Sequence, residues 1–158
     1  MVTFKRPASV KEICLPRLRV SYLDWPGEGP PIVLMHPNRT NARVWDFVVE
    51  DSALPNRFIA PDARGHGLSE YPERGYVLQE YVLDFIEFLD ALQIDQVVLV
   101  GAATGGNIAL LIATQYASRI AGLVVADPGL SLDKKISSDV KEEIVKNFRF
   151  SDFETAKA

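Results

Sequence analysis

The sequence predicts an α/β fold built on a doubly wound, mostly parallel sheet. Three observations carry that expectation. Short runs rich in Val and Ile, such as Ile32 to Met35 and Gln96 to Val100, alternate with longer stretches whose apolar residues recur at helical spacing. The runs are continuous rather than interleaved with polar residues, as strands covered on both faces require. Parallel strands need crossover helices, and the periodic stretches between the runs supply them.

Glu12 to Cys14 and Leu18 to Leu23 read as two short strands around Pro16. The turn Trp25-Pro26-Gly27-Glu28-Gly29-Pro30 ends them, because Pro and Gly disfavour regular structure there. Ile32 to Met35 is a short buried strand. Asn41 is placed to cap a helix over Ala42 to Glu50, with Val44, Trp45, Phe47 and Val48 as its expected apolar face. Trp45 reads as core rather than as a stacking platform. Arg57 to Ala60 is a strand closed by Pro61-Asp62.

Leu78 to Leu92 gives the clearest helix. Leu78, Tyr81, Val82, Phe85, Leu89 and Leu92 form its apolar side, and Glu80, Asp84, Glu87 and Asp90 fill the opposite one. Gln96 to Val100 is a Val-rich buried strand, and Gly101 to Gly106 a tight turn. Asn107 to Tyr116 is a helix apolar almost all round, which predicts burial on every face. Ala121 to Ala126 is the next buried strand, closed by Asp127-Pro128-Gly129. Ser138 to Asn147 is polar and helical, with Val140, Ile144 and Val145 as a thin apolar stripe. Ser151-Asp152-Phe153-Glu154 reads as a capping box, one turn before the last residue, so the segment looks cut.

Composition narrows the function. A chain of 158 residues suffices for one domain with a real core, and 47% apolar with 24% charged residues is ordinary for a soluble globular protein. The net charge of −4 comes with no basic stripe, which argues against a nucleic-acid partner and weakly against anionic membrane surfaces. No apolar run approaches the roughly 20 residues that cross a bilayer. Lys5, Arg6 and Pro7 are followed by no run of signal-peptide length. Cys14 is the one cysteine and reads as a small buried hydrophobe. A cytoplasmic protein is expected. No Cys/His cluster has zinc spacing, and Gly101 to Gly106 lacks both the Lys-Ser/Thr ending of a phosphate loop and the Rossmann glycine spacing. Neither metal nor cofactor is expected.

In a doubly wound sheet the functional edge lies at the carboxyl ends of the strands. Three loops fall there: His36-Pro37-Asn38-Arg39-Thr40, Asp62-Ala63-Arg64-Gly65-His66-Gly67-Leu68-Ser69, and Gly101-Ala102-Ala103-Thr104-Gly105-Gly106. With these three in order, the sequence from about Glu12 to Leu130 resembles the α/β-hydrolase superfamily. The Asp-x-Arg-Gly-His-Gly-x-Ser loop is one marker. The Gly-rich turn between strand and apolar helix is similar to the family's nucleophile elbow, Gly-x-Ser-x-Gly. His36 with the residues after it resembles the His-Gly oxyanion loop, with Pro37 in place of the usual glycine.

The resemblance implies a division of the chain and a set of roles. Residues 1–130 would be the N-terminal part of the core, with its first six strands, and residues 131–158 the start of a helical cap. Gly101 and Gly105 occupy the elbow's small-residue positions, which puts Ala103 at the nucleophile position. Alanine has no atom that can attack. Thr104 is a poor substitute, since it opens the helix and would need its own base. Its backbone N–H and that of Asn38 are the implied oxyanion donors. His36 and His66 read as loop-holding residues, because family members take the catalytic histidine from a loop after the last strand. Most place the acid after a later strand and a minority after the sixth, where Asp127 stands; plain turn chemistry is the competing reading. Arg39 either meets an anionic substrate group or is a solvated charge. Asn38 is also similar to the halide-binding asparagine of haloalkane dehalogenases. Those enzymes place Asp then Trp where Ala103 and Thr104 stand, so that reading is rejected.

The implied reaction is acyl transfer to water, on an ester or on a carbon–carbon bond next to a carbonyl of a small molecule. The chain by itself lacks the serine and the histidine for it. Ala103 is either an engineered replacement of serine or a natural loss. Two other readings stand beside this one: a non-catalytic small-molecule binding protein on the same fold, and a nonfunctional fragment with an open sheet edge.

Overall fold

A computed structural model describes residues 4–128. Six strands are present: β1 (Ser9–Cys14), β2 (Arg19–Trp25), β3 (Ile32–Met35), β4 (Phe58–Pro61), β5 (Val97–Ala102) and β6 (Ile120–Ala126). A 3-10 turn, Ala42–Trp45, leads into the short helix α1 (Asp46–Asp51), and a second, Ala117–Arg119, precedes β6. The longer helices are α2 (Leu78–Ala91) and α3 (Thr104–Gln115). The strands form one sheet in the order β1-β2-β4-β3-β5-β6. β1 pairs antiparallel with β2, and β2 with β4; the pairs β3·β4, β3·β5 and β5·β6 are parallel. The doubly wound, mostly parallel expectation holds.

Period-two alternation sends the two sides of each strand into different cores. Val20, Tyr22, Val33, Met35, Ile59, Val97 and Leu99 pack with Val82, Phe85, Phe88 and Leu89 of α2 and with Ile108, Ala109 and Ile112 of α3. Leu23, Trp25, Ile32, Leu34, Phe58 and Ala60 pack on the other side with Ala42, Trp45 and Val49. Each fully buried Leu, Ile or Phe stabilises such a layer by about 1.5–3 kcal/mol. The second layer is thin because α1 has only six residues. It leaves Val124 of β6 53% exposed.

Several local expectations change phase. Cys14 is exposed, not buried, because it closes the outermost strand β1, whose residues are nearly all solvated. In the segment after Asn41, Val44, Phe47 and Val48 are exposed, and Ala42, Trp45 and Val49 face the core. The first turn is 3-10 rather than α, which rotates the following residues away from the phase an uninterrupted α-helix would have. Asn41 does cap that turn, its side chain accepting from the Arg43 N–H at 3.0 Å. In α3 the burial falls on Gly105, Gly106, Ile108, Ala109, Ile112 and Ala113, while Leu110 and Leu111 are half-buried, so the helix is not enclosed on every side. In α2, Asp84 belongs to the buried side and not to the solvated one. The polar helix at Ser138 to Asn147, the capping box at Ser151 and the segment 131–158 lie outside the described residues.

Candidate active site

β3 is central. It has β4 on one side and β5 on the other, and the loops leaving their carboxyl ends share one edge of the sheet. That is the crevice where doubly wound sheets bind ligands.

The elbow is one residue wide. β5 runs through Ala102 and α3 begins at Thr104, leaving Ala103 alone between them at φ 48°, ψ −115°. This region is strained for a residue with a side chain, at about 1–3 kcal/mol. Two bonds hold it: the Ala103 N–H donates to the Ala126 carbonyl at 2.9 Å, and the Ala103 carbonyl accepts from the Asn107 N–H at 3.0 Å. Asn107 donates the first bond of the helical ladder, so the N–H groups of Thr104, Gly105 and Gly106 precede it. The small residues are obligatory. A methyl added at Gly101 would overlap the Gly105 carbonyl, and one at Gly105 would overlap the carbonyls of Met35 and, at 2.8 Å, His36.

His36 follows β3 and is 5% exposed. Its Nε2 accepts the Ala63 N–H at 3.0 Å, so its proton sits on Nδ1, which donates to the Pro37 carbonyl at 2.8 Å. That network assigns the neutral ring. Burial lowers its pKa below 6.5, the nearby His66 ring adds to the lowering, and the Pro37 carbonyl and the Asp62 charge oppose it. Thr40 Oγ1 donates to the same Pro37 carbonyl at 2.7 Å. Asn38 and Arg39 are exposed, Arg39 with φ 61°, and the Arg39 N–H donates to Asn38 Oδ1 at 2.9 Å.

The loop after β4 is built on Asp62. Its carboxylate accepts from the Ala42 N–H at 2.7 Å and the Leu68 N–H at 2.8 Å, tying this loop to the start of the 3-10 turn before α1. Ser69 Oγ donates to the Asp62 carbonyl and accepts from the Ser21 N–H. Arg64 is 4% exposed and forks onto Asp84 of α2, Nε to Oδ2 at 2.5 Å and Nη2 to Oδ1 at 2.6 Å. Its third arm donates to the Gly75 carbonyl at 2.6 Å. Arg17 reaches the same carboxylate at 2.8 Å. His66 Nδ1 lies 2.9 Å from the Arg64 carbonyl, and its Nε2 lies 2.9 Å from Asn38 Oδ1.

The structure thus gathers His36, Asn38, Gly101, Ala103, Thr104 and Gly105 at one edge, through the meeting of Gly105 with the end of β3. Arg39 stands at the loop tip in an open concavity of about 530 Å³ with Asn38, Thr40, His66 and Tyr71. Its guanidinium has no hydrogen bond or ion pair among the described residues. Asp127 follows β6 at φ 45°; it is exposed, and its carboxylate has no partner among the described residues. A smaller cavity, about 40 Å³, lies behind the elbow and is lined by Met35, His36, Arg64, Phe85, Gly105 and Ile108 rather than by Ala103 or Thr104. Among the described residues, no group of three or more His, Cys, Asp or Glu is placed to hold a metal ion. No helix among them is long and apolar enough to cross a membrane. Sequence reasoning missed Asp84 as the anchor of Arg64: a single carboxylate on an amphipathic helix carries no sign of its partner 20 residues earlier.

The sequence profile of the Alpha/beta hydrolase family matches residues 32–154. The chain is 40% identical over 116 residues to haloalkane dehalogenase 2 of Mycobacterium tuberculosis (strain H37Rv), covering 70% of this chain and 39% of that protein. It is 36% identical over 123 residues to 2-hydroxymuconate semialdehyde hydrolase of Pseudomonas sp. (strain CF600), covering 75% of this chain and 43% of that protein. Among solved structures, a serine-to-alanine mutant of the meta-cleavage product hydrolase from Pseudomonas fluorescens IP01, complexed with acetates, superposes with a TM-score of 0.66 at 32% identity. That match covers 72% of this chain and 43% of the other. The chain spans about two fifths of the length of these curated relatives.

Proposed function

This chain belongs to the Alpha/beta hydrolase family, and from that premise we propose that it forms the elbow and oxyanion side of an acyl-transfer hydrolase for small molecules. Its own apex is inert. The observation that carries this reading is Ala103, held at φ 48° between β5 and α3 with a methyl group where a nucleophile would stand. With serine there, Oγ would attack a carbonyl of an ester or of a ketone. The N–H groups of Asn38 and Thr104 would receive the developing oxyanion, each such donor being worth about 3 kcal/mol in an active enzyme. A base would take the serine proton and deliver it to the leaving alcohol of an ester, or to the leaving carbon of a ketone, as its bond to the carbonyl carbon breaks; water would then hydrolyse the acyl-serine and restore the free hydroxyl. Neither histidine described here is available as the base: His36 holds Ala63 and Pro37, and His66 holds Arg64 and Asn38. That base would come from further residues of a whole protein of its relatives' length, and the acid from there or, as the weaker candidate, from Asp127 after β6, with residues 131–158 starting the cap. Ala103 also has no carboxylate, so its apex does not support halide displacement despite the similarity to a haloalkane dehalogenase.

A second reading, a small-molecule binding protein, is favoured by the same methyl group if alanine is natural. One experiment separates the two. The reading frame beyond Ala158 is expressed with Ala103→Ser and assayed on a chromogenic short ester. Turnover that needs both the serine and the added residues supports the hydrolase. No turnover, with tight small-molecule binding by the alanine form, supports the binding protein.

A further inference from the structure

Two loops of the sheet edge are joined through one ring. His66 Nδ1 is 2.9 Å from the Arg64 carbonyl, and Nε2 is 2.9 Å from Asn38 Oδ1. A backbone carbonyl is an acceptor only. The Asn38 side chain would offer a donor if its amide were turned over. It cannot turn, because Oδ1 also accepts the Arg39 N–H at 2.9 Å, and the opposite orientation would set an NH2 group against that N–H. Both ring nitrogens therefore face acceptors, and a neutral imidazole has only one hydrogen to give.

We infer that His66 is a positioning residue for the oxyanion loop, acting as a ring protonated on both nitrogens that ties the Arg64 carbonyl to the Asn38 side chain. The ring 5.1 Å away, His36, behaves in the complementary way. Its Nε2 accepts from Ala63, which fixes it as neutral and leaves one charge, not two, in the pair. The other groups around His66 are Arg39 and Tyr71, which share its concavity, and Asp62 on its own loop, whose carboxylate is occupied by the Ala42 and Leu68 N–H groups. The guanidinium of Arg64 is turned away to Asp84. The tether bears on function through its target. Asn38 carries the backbone N–H proposed above as an oxyanion donor, and the next residue, Arg39, sits in the left-handed region at φ 61°. Without the Nε2 proton the bond to Asn38, which joins the two loops, is lost; without the Nδ1 proton the ring is no longer fixed on its own loop by the Arg64 carbonyl.

The inference rests on the reading of Asn38 in the proposed function, but its test does not use turnover. Nitrogen-15 NMR of the 158-residue chain resolves both ring nitrogens of each histidine. Over a pH series, the acid end is expected to show hydrogen on both nitrogens of His66 and one bare nitrogen on His36. The Asn38 and Arg39 backbone amides are expected to shift in step with the His66 ring nitrogens along the series, and His66→Gln to abolish that shift. A bare nitrogen on His66 at the acid end, or Asn38 and Arg39 amides indifferent to its titration, overturns the inference. The wild-type titration decides alone if the variant does not fold. Failure of the completed serine enzyme to turn over would sink the hydrolase reading and leave the bridge standing.

Discussion

Gly105 lies with its Cα against the Met35 carbonyl, so that α3 enters directly on the end of β3. The turn at Ala103 and the loop after β3 are held at one separation by the absence of a side chain at Gly105. Gly105→Ala would place a methyl inside that carbonyl, and backbone rather than a flexible side chain would have to move. Overpacking of this kind costs about 1–3 kcal/mol. Urea unfolding should show a lower midpoint with an unchanged slope; an unchanged midpoint would mean the two loops are not in contact there.

Arg64 and Asp84 form a buried bidentate pair, 4% and 10% exposed in their side chains. Removing one partner strands the other charge, at about 3–5 kcal/mol. Asp84→Asn is expected to fall in that range, with two cations, Arg64 and Arg17, left facing a neutral amide. Glu87→Gln is the control. Its bond to Arg17 is 28% exposed on each side, and such a pair contributes at most about 1 kcal/mol. Equal effects of the two substitutions would contradict the burial seen here.

His36 makes stability depend on pH with a definite sign. Its folded pKa is lowered from 6.5, by burial first, so the unfolded chain binds the proton more readily. The neutral ring's contribution is whole above 6.5 and is lost as pH falls through the lower folded value. Denaturation midpoints should drop on acidification across that window, and His36→Gln should flatten the drop. His66 is coupled to the same ring, so the difference between wild type and variant is the quantity to read. A variant with the same acid slope as wild type would refute the assignment.

Asp24 predicts a second, more acidic loss. Burial alone would raise its pKa, but the bonds to Arg57 and Lys11 outweigh burial and the net shift is downward from 3.8. Its contribution is present above 3.8 and disappears as pH falls through the lower folded value. Asp24→Asn should be less stable than wild type at neutral pH and approach it in strong acid, as followed by circular dichroism. A stability gap that persists undiminished in acid would show that the carboxylate charge is not what Arg57 and Lys11 hold.

The fold class was legible because the Val/Ile runs and the period of α2 are local features, and each strand pairs where its pattern puts it. The edge that gathers the candidate site was legible for a related reason: Gly101 and Gly105, four apart, leave Ala103 midway between them, and the Arg-Gly-His-Gly turn follows a strand. The face of the segment after Asn41 was not, since a 3-10 first turn shifts the phase without changing composition. Asp84 and Asp24 were missed because a buried ion pair is a property of two distant segments. Cys14 was misplaced because apolar neighbours do not reveal that β1 lies outermost in the sheet.

The bend at Ala103 is shaped by its surroundings rather than by its own side chain. Two backbone bonds and two neighbouring glycines hold it, and none of the four involves the methyl group. The template is already cut, and what stands at its tip can be exchanged without recasting it.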